Sequence, residues 1–369
     1  MKKNQLVTLG KHIDILSGCA FPSSGFNRNN GVPLIRIRDI LSGKTETYYE
    51  GSYDLKYLIK KGDLLVGMDG DFNREYWKGT DALLNQRVCK ITPNPETLDK
   101  NFLYHFLQKE LDKIHATTDV VTVKHLSVKK IQDIKIRLPS LKEQKRIAAI
   151  LDKADAIRQK REQAIKLADD FLRAKFLEMF GTPANNIHRF PKGTIRDLVD
   201  SVNYGTSAKA SIDSGEYPIL RMGNITYQGR WDFTDLKYLD LSVKEKDKYL
   251  VKEGDLLFNR TNSKELVGKT AVYEEDRPMA FAGYLIRVRP NSIGNNYYIS
   301  GYLNSIHGKI TLMNMCKSIV GMANINAQEL QNIEILIPPK HLQDEYEIIY
   351  KKIKKGLSIY DKSAMQLQL

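Results

Sequence analysis

Apolar residues in much of this chain come in short runs, and turn-forming residues separate the runs. Such turn segments occupy residues 27–31, 41–44 and 211–215. Short apolar runs between turns of this kind predict β-strands joined by loops. At residues 100–113 and 295–307 the apolar residues recur at helical spacing instead, which predicts one helix in each half of the chain.

A much longer helical pattern occupies residues 141–180, which contain neither proline nor glycine. Apolar residues recur there at steps of three and four, so they form one stripe along a helix about 60 Å long. Gly181-Thr182-Pro183 follows as a helix stop. The stripe residues expected to pack against a second helix are Ile147, Leu151, Ala154, Ile157, Ile165 and Leu172.

A second, shorter stripe occupies residues 342–369 and includes Ile349, Ile353 and Leu357, although Gly356 interrupts it. A long amphipathic helix is not stable alone in water, because its apolar face would stay exposed. We therefore expect the two helices to pair in antiparallel fashion as a coiled coil. The alternative is that each stripe faces an ordinary helical core.

Three segments of the first half return in the same order in the second half. Residues 33–40, 57–65 and 131–139 correspond to residues 218–225, 249–257 and 330–338. Because the three segments follow in the same order in both halves, the sequence indicates that one unit was duplicated. The predicted fold is therefore α+β, with two globular domains of mixed strands and helices, separated by two long antiparallel helices that form a coiled coil, in a pseudo-two-fold repeat. The predicted boundaries are 1–140 and 182–341 for the domains, and 141–181 and 342–369 for the helices.

Charge narrows the class of partner. Lysine and arginine outnumber aspartate and glutamate by 57 to 44, which gives a formal net charge of +13 and a pI of about 9.3. Such an excess favours nucleic acid or another acidic surface. The three cysteines are far apart and odd in number, so they predict neither a disulfide framework nor a metal cluster, and a reducing cytoplasm is expected. No apolar segment is long enough to predict a membrane span.

A polar loop follows the Gly-Asp-Leu-Leu strand in each half, and the two loops differ. Residues 66–74 read Val-Gly-Met-Asp-Gly-Asp-Phe-Asn-Arg, whereas residues 258–270 are rich in Asn, Arg, Ser, Lys and Thr. These side chains can hold phosphates or read base edges. A shared scaffold with divergent polar loops is expected of two domains that read different sequences. The alternative is that both loops are ordinary solvated surface.

Catalytic motifs are weak in this sequence. Gly268-Lys269-Thr270 is similar to the end of a phosphate-binding loop, but residue 263 is Ser where the motif requires Gly, and a strand is expected afterwards. Asp69 and Asp71 could hold a metal, but a turn around Gly70 is the simpler interpretation. The sequence therefore indicates a binding protein without a catalytic site. The alternatives are a scaffold that binds proteins and a standalone nuclease or methyltransferase.

Several of these segments resemble a known family. Residues 138–152, Leu-Pro-Ser-Leu-Lys-Glu-Gln-Lys-Arg-Ile-Ala-Ala-Ile-Leu-Asp, are similar to the opening of the central helix in specificity (S) subunits of type I restriction–modification systems, and residues 337–349 are a weaker copy. Residues 62–73 with 84–89 resemble one common type of target-recognition domain. Residues 218–225 with 254–270 resemble another. The resemblance extends over essentially the full chain.

The resemblance implies a non-catalytic protein whose two recognition domains each bind one half of a split, asymmetric site in double-stranded DNA. The paired helices would fix the spacer and dock two methyltransferase (M) subunits, which restriction (R) subunits then join. AdoMet, ATP and Mg²⁺ would belong to those partners, and no cofactor or metal to this chain. The side chains expected to contact DNA are Asn73, Arg74, Asn85, Gln86 and Arg87 in the first domain, and Ser207, Lys209, Arg221, Arg260, Asn262, Ser263 and Lys264 in the second.

Overall fold

The computed structural model describes residues 5–118, 124–316 and 322–365, with residues 5 and 358–365 described by their backbone alone. The chain divides into two compact units, Met1–Gln159 and Lys160–Leu369. The four-part division into domains and helices stays a prediction, because a single long helix continues from the first unit into the second.

The first unit is built mainly of short strands. Its strands are β1 (Gln5–Thr8), β2 (Ile13–Ser17), β3 (Phe26–Asn27), β4 (Val32–Ile35), β5 (Tyr48–Tyr49), β6 (Leu58–Ile59), β7 (Leu64–Gly67), β8 (Arg74–Tyr76), β9 (Ala82–Leu84), β10 (Val88–Pro93) and β11 (Lys135–Leu138). Its helices are α1 (Asp39–Ser42), α2 (Lys100–Ala116) and α3 (Val128–Gln132), and the long helix α4 (Leu141–Phe180) follows. The sheets run in the orders β2-β10-β7-β8, β3-β5-β4-β9-β6 and β1-β11. All of β7 is buried, because it lies between β10 and β8.

Helix α2 forms where the sequence predicts it and extends three residues further than expected. The Asp99 side chain caps its start by accepting two backbone N–H bonds of the first turn, each 3.0 Å long. Leu103, Leu107 and Leu111 are buried at steps of four residues. One apolar face therefore packs into the core of the first unit.

The second unit contains strands of similar length. They are β12 (Lys192–Thr194), β13 (Val199–Tyr204), β14 (Tyr217–Leu220), β15 (Lys237–Leu239), β16 (Leu250–Val251), β17 (Leu256–Asn259), β18 (Thr261–Asn262), β19 (Thr270–Val272), β20 (Met279–Phe281), β21 (Leu285–Pro290), β22 (Ala323–Asn324) and β23 (Glu334–Leu336). The helices are α5 (Val243–Tyr249), α6 (Asn296–Asn304), α7 (Ile306–Met315), α8 (Ala327–Gln331) and α9 (Lys340–Met365).

The sheet orders of the first unit recur in the second. The order β13-β21-β17-β19 repeats β2-β10-β7-β8, and β12-β23 repeats β1-β11. A further sheet in each unit contains a parallel pair, β4 with β9 and β14 with β20. The internal repeat predicted from the sequence is thus confirmed as a repeat of structure.

The single helix predicted at residues 295–307 is wrong in one respect, because the structure breaks it into α6 and α7. Ser305 lies between them with extended backbone angles of −69° and 162°. Its hydroxyl accepts the Gly308 N–H at 3.1 Å and so caps α7. The apolar spacing continues through this break, so periodicity alone does not reveal it.

Within the second unit, the end of α4 packs against the start of α9. The rings of Phe176 and Phe180 on α4 lie 5.4 and 5.9 Å, centroid to centroid, from the ring of Tyr346 on α9. Asp169, about two turns before Phe176, lines the same pocket as Tyr350. Contacts advance along α9 as they retreat along α4, so the two helices are antiparallel.

The residues predicted to pair the helices differ in burial. Leu172 is buried, and the half-buried ones are Ile147, Ile165, Ile349, Ile353 and Leu357. Leu151, Ala154 and Ile157 are exposed, Leu151 by 39% and Ile157 by 41%. The described residues therefore cover these three side chains only in part, and their role in pairing stays a prediction.

Two buried glutamines at equivalent positions of the repeat fix the start of each long helix. Gln144 Nε2 donates to the carbonyl oxygens of Thr97 and Pro139 at 3.0 and 2.9 Å, and its Oε1 accepts the Asp99 N–H at 2.8 Å. Gln343 Nε2 likewise donates to two backbone carbonyls, at 2.9 and 2.8 Å. Each long helix thus begins bonded to the backbone of its own globular domain.

Candidate nucleic-acid interface

An arginine-rich groove of about 550 Å³ opens on the first unit. The predicted residues Asn85, Gln86 and Arg87 line it, together with Arg36 and Arg38. Three guanidinium groups around one groove create a positive surface that suits a phosphate backbone or a guanine edge. We call it the first groove.

Close backbone approach positions this part of the first groove. The loop between β9 and β10 lies so near Gly18 that a Cβ there would be 2.0 Å from the Asn85 carbonyl oxygen. The Gln86 N–H donates to the Cys19 carbonyl at 2.9 Å. The Asn85 side chain is buried at 9% exposure, whereas Gln86 and Arg87 are exposed. The loop is therefore held rigidly while two of its side chains remain accessible.

Arg87 is oriented by an acidic neighbour. Its Nη1 lies 2.5 Å from Asp69 Oδ2, and the other oxygen of Asp69 lies 2.6 Å from His125 Nδ1. The Arg87 side chain is still 56% exposed, and a guanidinium carries five N–H donors. Asp69 thus orients Arg87 and His125 through its two carboxylate oxygens.

Sequence reasoning missed Arg36 and Arg38. The internal repeat could have pointed to Arg36, because it follows Pro33-Leu34-Ile35 as the predicted Arg221 follows Pro218-Ile219-Leu220. In the structure both arginines are exposed and line the first groove.

Asn73 and Arg74 do not line the first groove. The Arg74 guanidinium lies 3.5 Å from the centre of the Tyr104 ring, and its backbone N–H donates to Gln108 Oε1 at 3.1 Å. Arg74 is therefore packed on helix α2. A DNA contact by these two residues stays a prediction.

In the second unit, Arg260 lies beside the exposed ring of Tyr204. Its guanidinium is 4.9 Å from the centre of the Tyr204 ring, and its backbone N–H donates to the Tyr284 carbonyl at 3.0 Å. Tyr204 and Tyr284 are 42% and 54% exposed. Arg260 is half-buried, and its Nε is shielded from water without a hydrogen-bond partner among the described residues. A guanidinium stacked on an exposed tyrosine ring suits nucleic-acid contact.

The other predicted residues of the second unit are spread over several places. Arg221 Nη2 donates to Asp235 Oδ2 at 2.8 Å, whereas Ser207 and Lys209 are exposed after β13. Asn262 and Ser263 are half-buried near β18. Lys264 lines a different cavity, of about 500 Å³. The structure thus brings no single cluster together here comparable with the first groove, among the side chains it describes.

Comparison with known proteins decides the family. Residues 1–167 and 190–368 each match the type I restriction modification DNA specificity domain. The chain is 31% identical to the type I restriction enzyme EcoBI specificity subunit of Escherichia coli, over 93% of this chain and 77% of that protein. The EcoKI specificity subunit of Escherichia coli strain K12 is 24% identical, over 87% and 75%. The chain belongs to the family of type I restriction–modification specificity subunits.

The fold agrees with that assignment. The crystal structure of a type I restriction–modification system S subunit from M. genitalium superposes with a TM-score of 0.63 at 14% identity, covering 100% of this chain and 96% of that one. At this identity the likeness concerns the fold alone. The two family matches also correspond to the two copies of the internal repeat. This chain is therefore a specificity subunit with two target-recognition domains.

The rival interpretations of the sequence weaken accordingly. Specificity subunits are not catalysts, and Gly268-Lys269-Thr270 is no nucleotide loop here, because β19 begins at Thr270. Lys269 is buried and donates to the Met222 carbonyl at 2.8 Å; burial lowers the pKa of its ammonium. The described residues contain no cluster of three or more His, Cys, Asp or Glu that could hold a metal. None of the described helices combines the length and apolar character of a membrane span.

Proposed function

We propose that each recognition domain of this specificity subunit reads one half of a bipartite, asymmetric site in double-stranded DNA. The observation that carries this proposal is one scaffold, built twice, with different polar groups at its surface. The first domain has Arg36, Arg38 and Arg87 around one groove, whereas the second has Arg260 beside Tyr204 and Tyr284. Different groups on the same scaffold recognise different half-sites.

We further propose that the long helices set the spacer between the half-sites and dock two M subunits, which R subunits join. Exposed apolar side chains on α4 support docking. Ile150, Leu167 and Phe171 are 54%, 60% and 49% exposed, and exposed apolar residues gathered on one element mark interaction surfaces. AdoMet, ATP and Mg²⁺ would then serve methylation and cleavage in those partner subunits.

The test begins by mapping methylated adenines in a host that expresses this chain with its M subunit. A bipartite motif is expected. Duplexes carrying that motif, or the motif with one half scrambled, then measure binding by the purified complex. An arginine contact to a base is worth about 1–3 kcal/mol, or about 5- to 150-fold in affinity.

Arg87→Ala is expected to lower affinity for the native duplex by that factor and to change nothing once the first half is scrambled. Arg260→Ala should show the same behaviour for the second half only. Lys113→Ala is the matched control, since it removes an exposed cation from the outer face of α2. Equal losses on native and scrambled duplexes would show that these arginines contribute only sequence-independent attraction, which contradicts their role in recognition.

A further inference from the structure

An ion pair ties the second recognition domain to the long helix that precedes it. Arg230 Nη2 lies 2.5 Å from Asp169 Oδ1 on α4 and donates a second bond to the Ile165 carbonyl oxygen at 3.2 Å. The two charged side chains are only 19% and 15% exposed. An ion pair that is shielded from water, and whose arginine donates two hydrogen bonds, holds its geometry better than an exposed pair does.

Hydrogen bonds and close packing hold the turn that carries Arg230 in place. The Thr226 N–H donates to the Arg230 carbonyl at 2.8 Å, and Thr226 Oγ1 accepts the Arg230 N–H at 3.0 Å. Gly229 has a φ of +79°, and a Cβ there would lie 2.5 Å from Asn304 Nδ2 and 2.6 Å from the Thr270 carbonyl oxygen. The turn is therefore wedged against a strand and a helix of its own domain.

The next residue holds the turn from the other side. Trp231 Nε1 donates to the Val272 carbonyl at 2.7 Å, and its ring lies 5.9 Å from those of Phe233 and Tyr273. Trp231 packs against the apolar core of the recognition domain. Trp231 thus bonds to the domain core while its neighbour Arg230 bonds to α4. The orientation of the domain is therefore coupled to that of the helix.

The recognition domain is bonded to the other long helix as well. Asn295 Nδ2, at the start of α6, donates to Asp344 Oδ1 at 2.8 Å and to Glu347 Oε2 at 2.7 Å on α9. The rings of Phe176 and Phe180 at the end of α4 also pack in the core of the domain, so the Asp169–Arg230 pair is a second, polar contact with α4 about two turns away. Contacts with both α4 and α9 fix its orientation on the helix pair.

Arg230 lies in a segment whose length differs between the two copies of the repeat. Pro33 pairs with Tyr48 in the first copy as Pro218 pairs with Tyr238 in the second. The segment between them is therefore five residues longer in the second copy, and Arg230 has no counterpart at a fixed offset in the first.

We propose that the Asp169–Arg230 pair is a positioning device that sets how strictly the complex measures the DNA spacer. The inference rests on the proposed function, in which the helices separate two half-sites. One added base pair moves a half-site by about 3.4 Å and turns it by about 35°, since B-DNA has about 10–10.5 base pairs per turn. A domain held to α4 at both the ion pair and the Phe176–Phe180 contacts cannot follow that movement, whereas a domain that keeps only the Phe176–Phe180 contacts can tilt about them.

The experiment measures methylation rates by the complex with M subunits on three duplexes, with the native spacer, one base pair fewer and one more. Arg230→Ala and Asp169→Ala are each expected to lower the preference for the native spacer by about tenfold while half-site discrimination stays unchanged. Their double variant should be no worse than either single variant, because both remove the same bond. The charge-exchanged variant, Asp169→Arg with Arg230→Asp, should recover part of the preference.

Lys175→Ala is the control, since it breaks a pair between two residues of the same helix, Lys175 and Glu178. An unchanged spacer preference, with stability or overall rate reduced alike on every duplex, would show that the pair is only structural and overturn the proposal. Altered half-site discrimination would also overturn it, since Arg230 would then read bases. A wild-type complex without any spacer preference would instead contradict the proposed function itself.

Discussion

Replacing Lys309 with methionine is expected to stabilise the second unit at neutral pH. Lys309 lies on α7, and its Nζ is shielded from water without a hydrogen-bond partner among the described residues. Burial, reinforced by repulsion from Arg173 and Lys269, lowers the pKa of its ammonium from 10.5 to about 8. The folded chain therefore holds this proton less firmly than the unfolded chain, and the charge destabilises the fold.

The size of the effect follows from that shift. One pKa unit corresponds to about 1.4 kcal/mol, so the charged lysine costs up to about 3 kcal/mol at neutral pH. Its only described attraction is the Tyr227 ring, whose centre lies 4.8 Å from Nζ and which contributes about 0.5–1 kcal/mol. Methionine keeps the apolar stem, so a net gain of about 1–2 kcal/mol is expected after relaxation around the shorter side chain.

The pH dependence has a definite sign. The penalty is complete below the folded pKa of about 8, and it disappears as the unfolded lysine also loses its proton near pH 10.5. Wild type should therefore gain stability relative to Lys309→Met as pH rises from 8 to 10.5. Taking the difference between the two proteins removes the titration of all other groups.

Urea unfolding at pH 7 and pH 10 measures this difference, with Trp231 fluorescence reporting the second unit in a Trp77→Phe background. The variant should unfold at higher urea at pH 7, and the two midpoints should converge at pH 10. Lys113→Met, at an exposed position, should change neither midpoint by much. A Lys309→Met protein that is less stable at pH 7, or whose difference from wild type is the same at both pH values, would refute the argument.

Two further substitutions test the packing of the scaffold. Gln144→Leu should destabilise the first unit by about 3–5 kcal/mol in urea unfolding, because three backbone groups lose their partner in a buried place; a loss below 1 kcal/mol would show that water satisfies them. Gly229→Ala should lower the melting temperature of the second unit by a margin equivalent to about 2 kcal/mol or more, since its positive φ and the two close contacts leave no room for a Cβ; unchanged melting would mean that the turn moves freely.

Local sequence patterns predicted the scaffold because the forces that shape it act between neighbours. The long helix lies at Leu141–Phe180, as its unbroken periodicity and its glycine stop indicate. Helix α2 begins at Lys100, directly after its Asp99 cap. The duplicated segments became duplicated sheets. In each case the signal lies within a few residues of the element that it specifies.

The contacts that shape the surface could not be predicted in this way, because they join distant residues. Asp69 meets His125 across 56 positions, and Arg230 meets Asp169 across 61. Both depend on how sheets and helices approach each other, which no periodicity encodes. Arg36 was missed for a related reason: an exposed arginine after a strand is common, and only the groove around it gives it significance.

The two copies also show why recognition surfaces can change while the scaffold persists. Gln144 and Gln343 bond mainly to backbone carbonyls, which every residue type provides, so neighbouring side chains can vary without loosening the helix start. Gln144 Oε1 accepts the Asp99 N–H, whereas Gln343 Oε1 has no partner among the described residues. The bonds that both copies share are therefore those to carbonyls. Groove residues such as Arg87 take no part in them, so their replacement should alter the bases that are read and leave the helices in place.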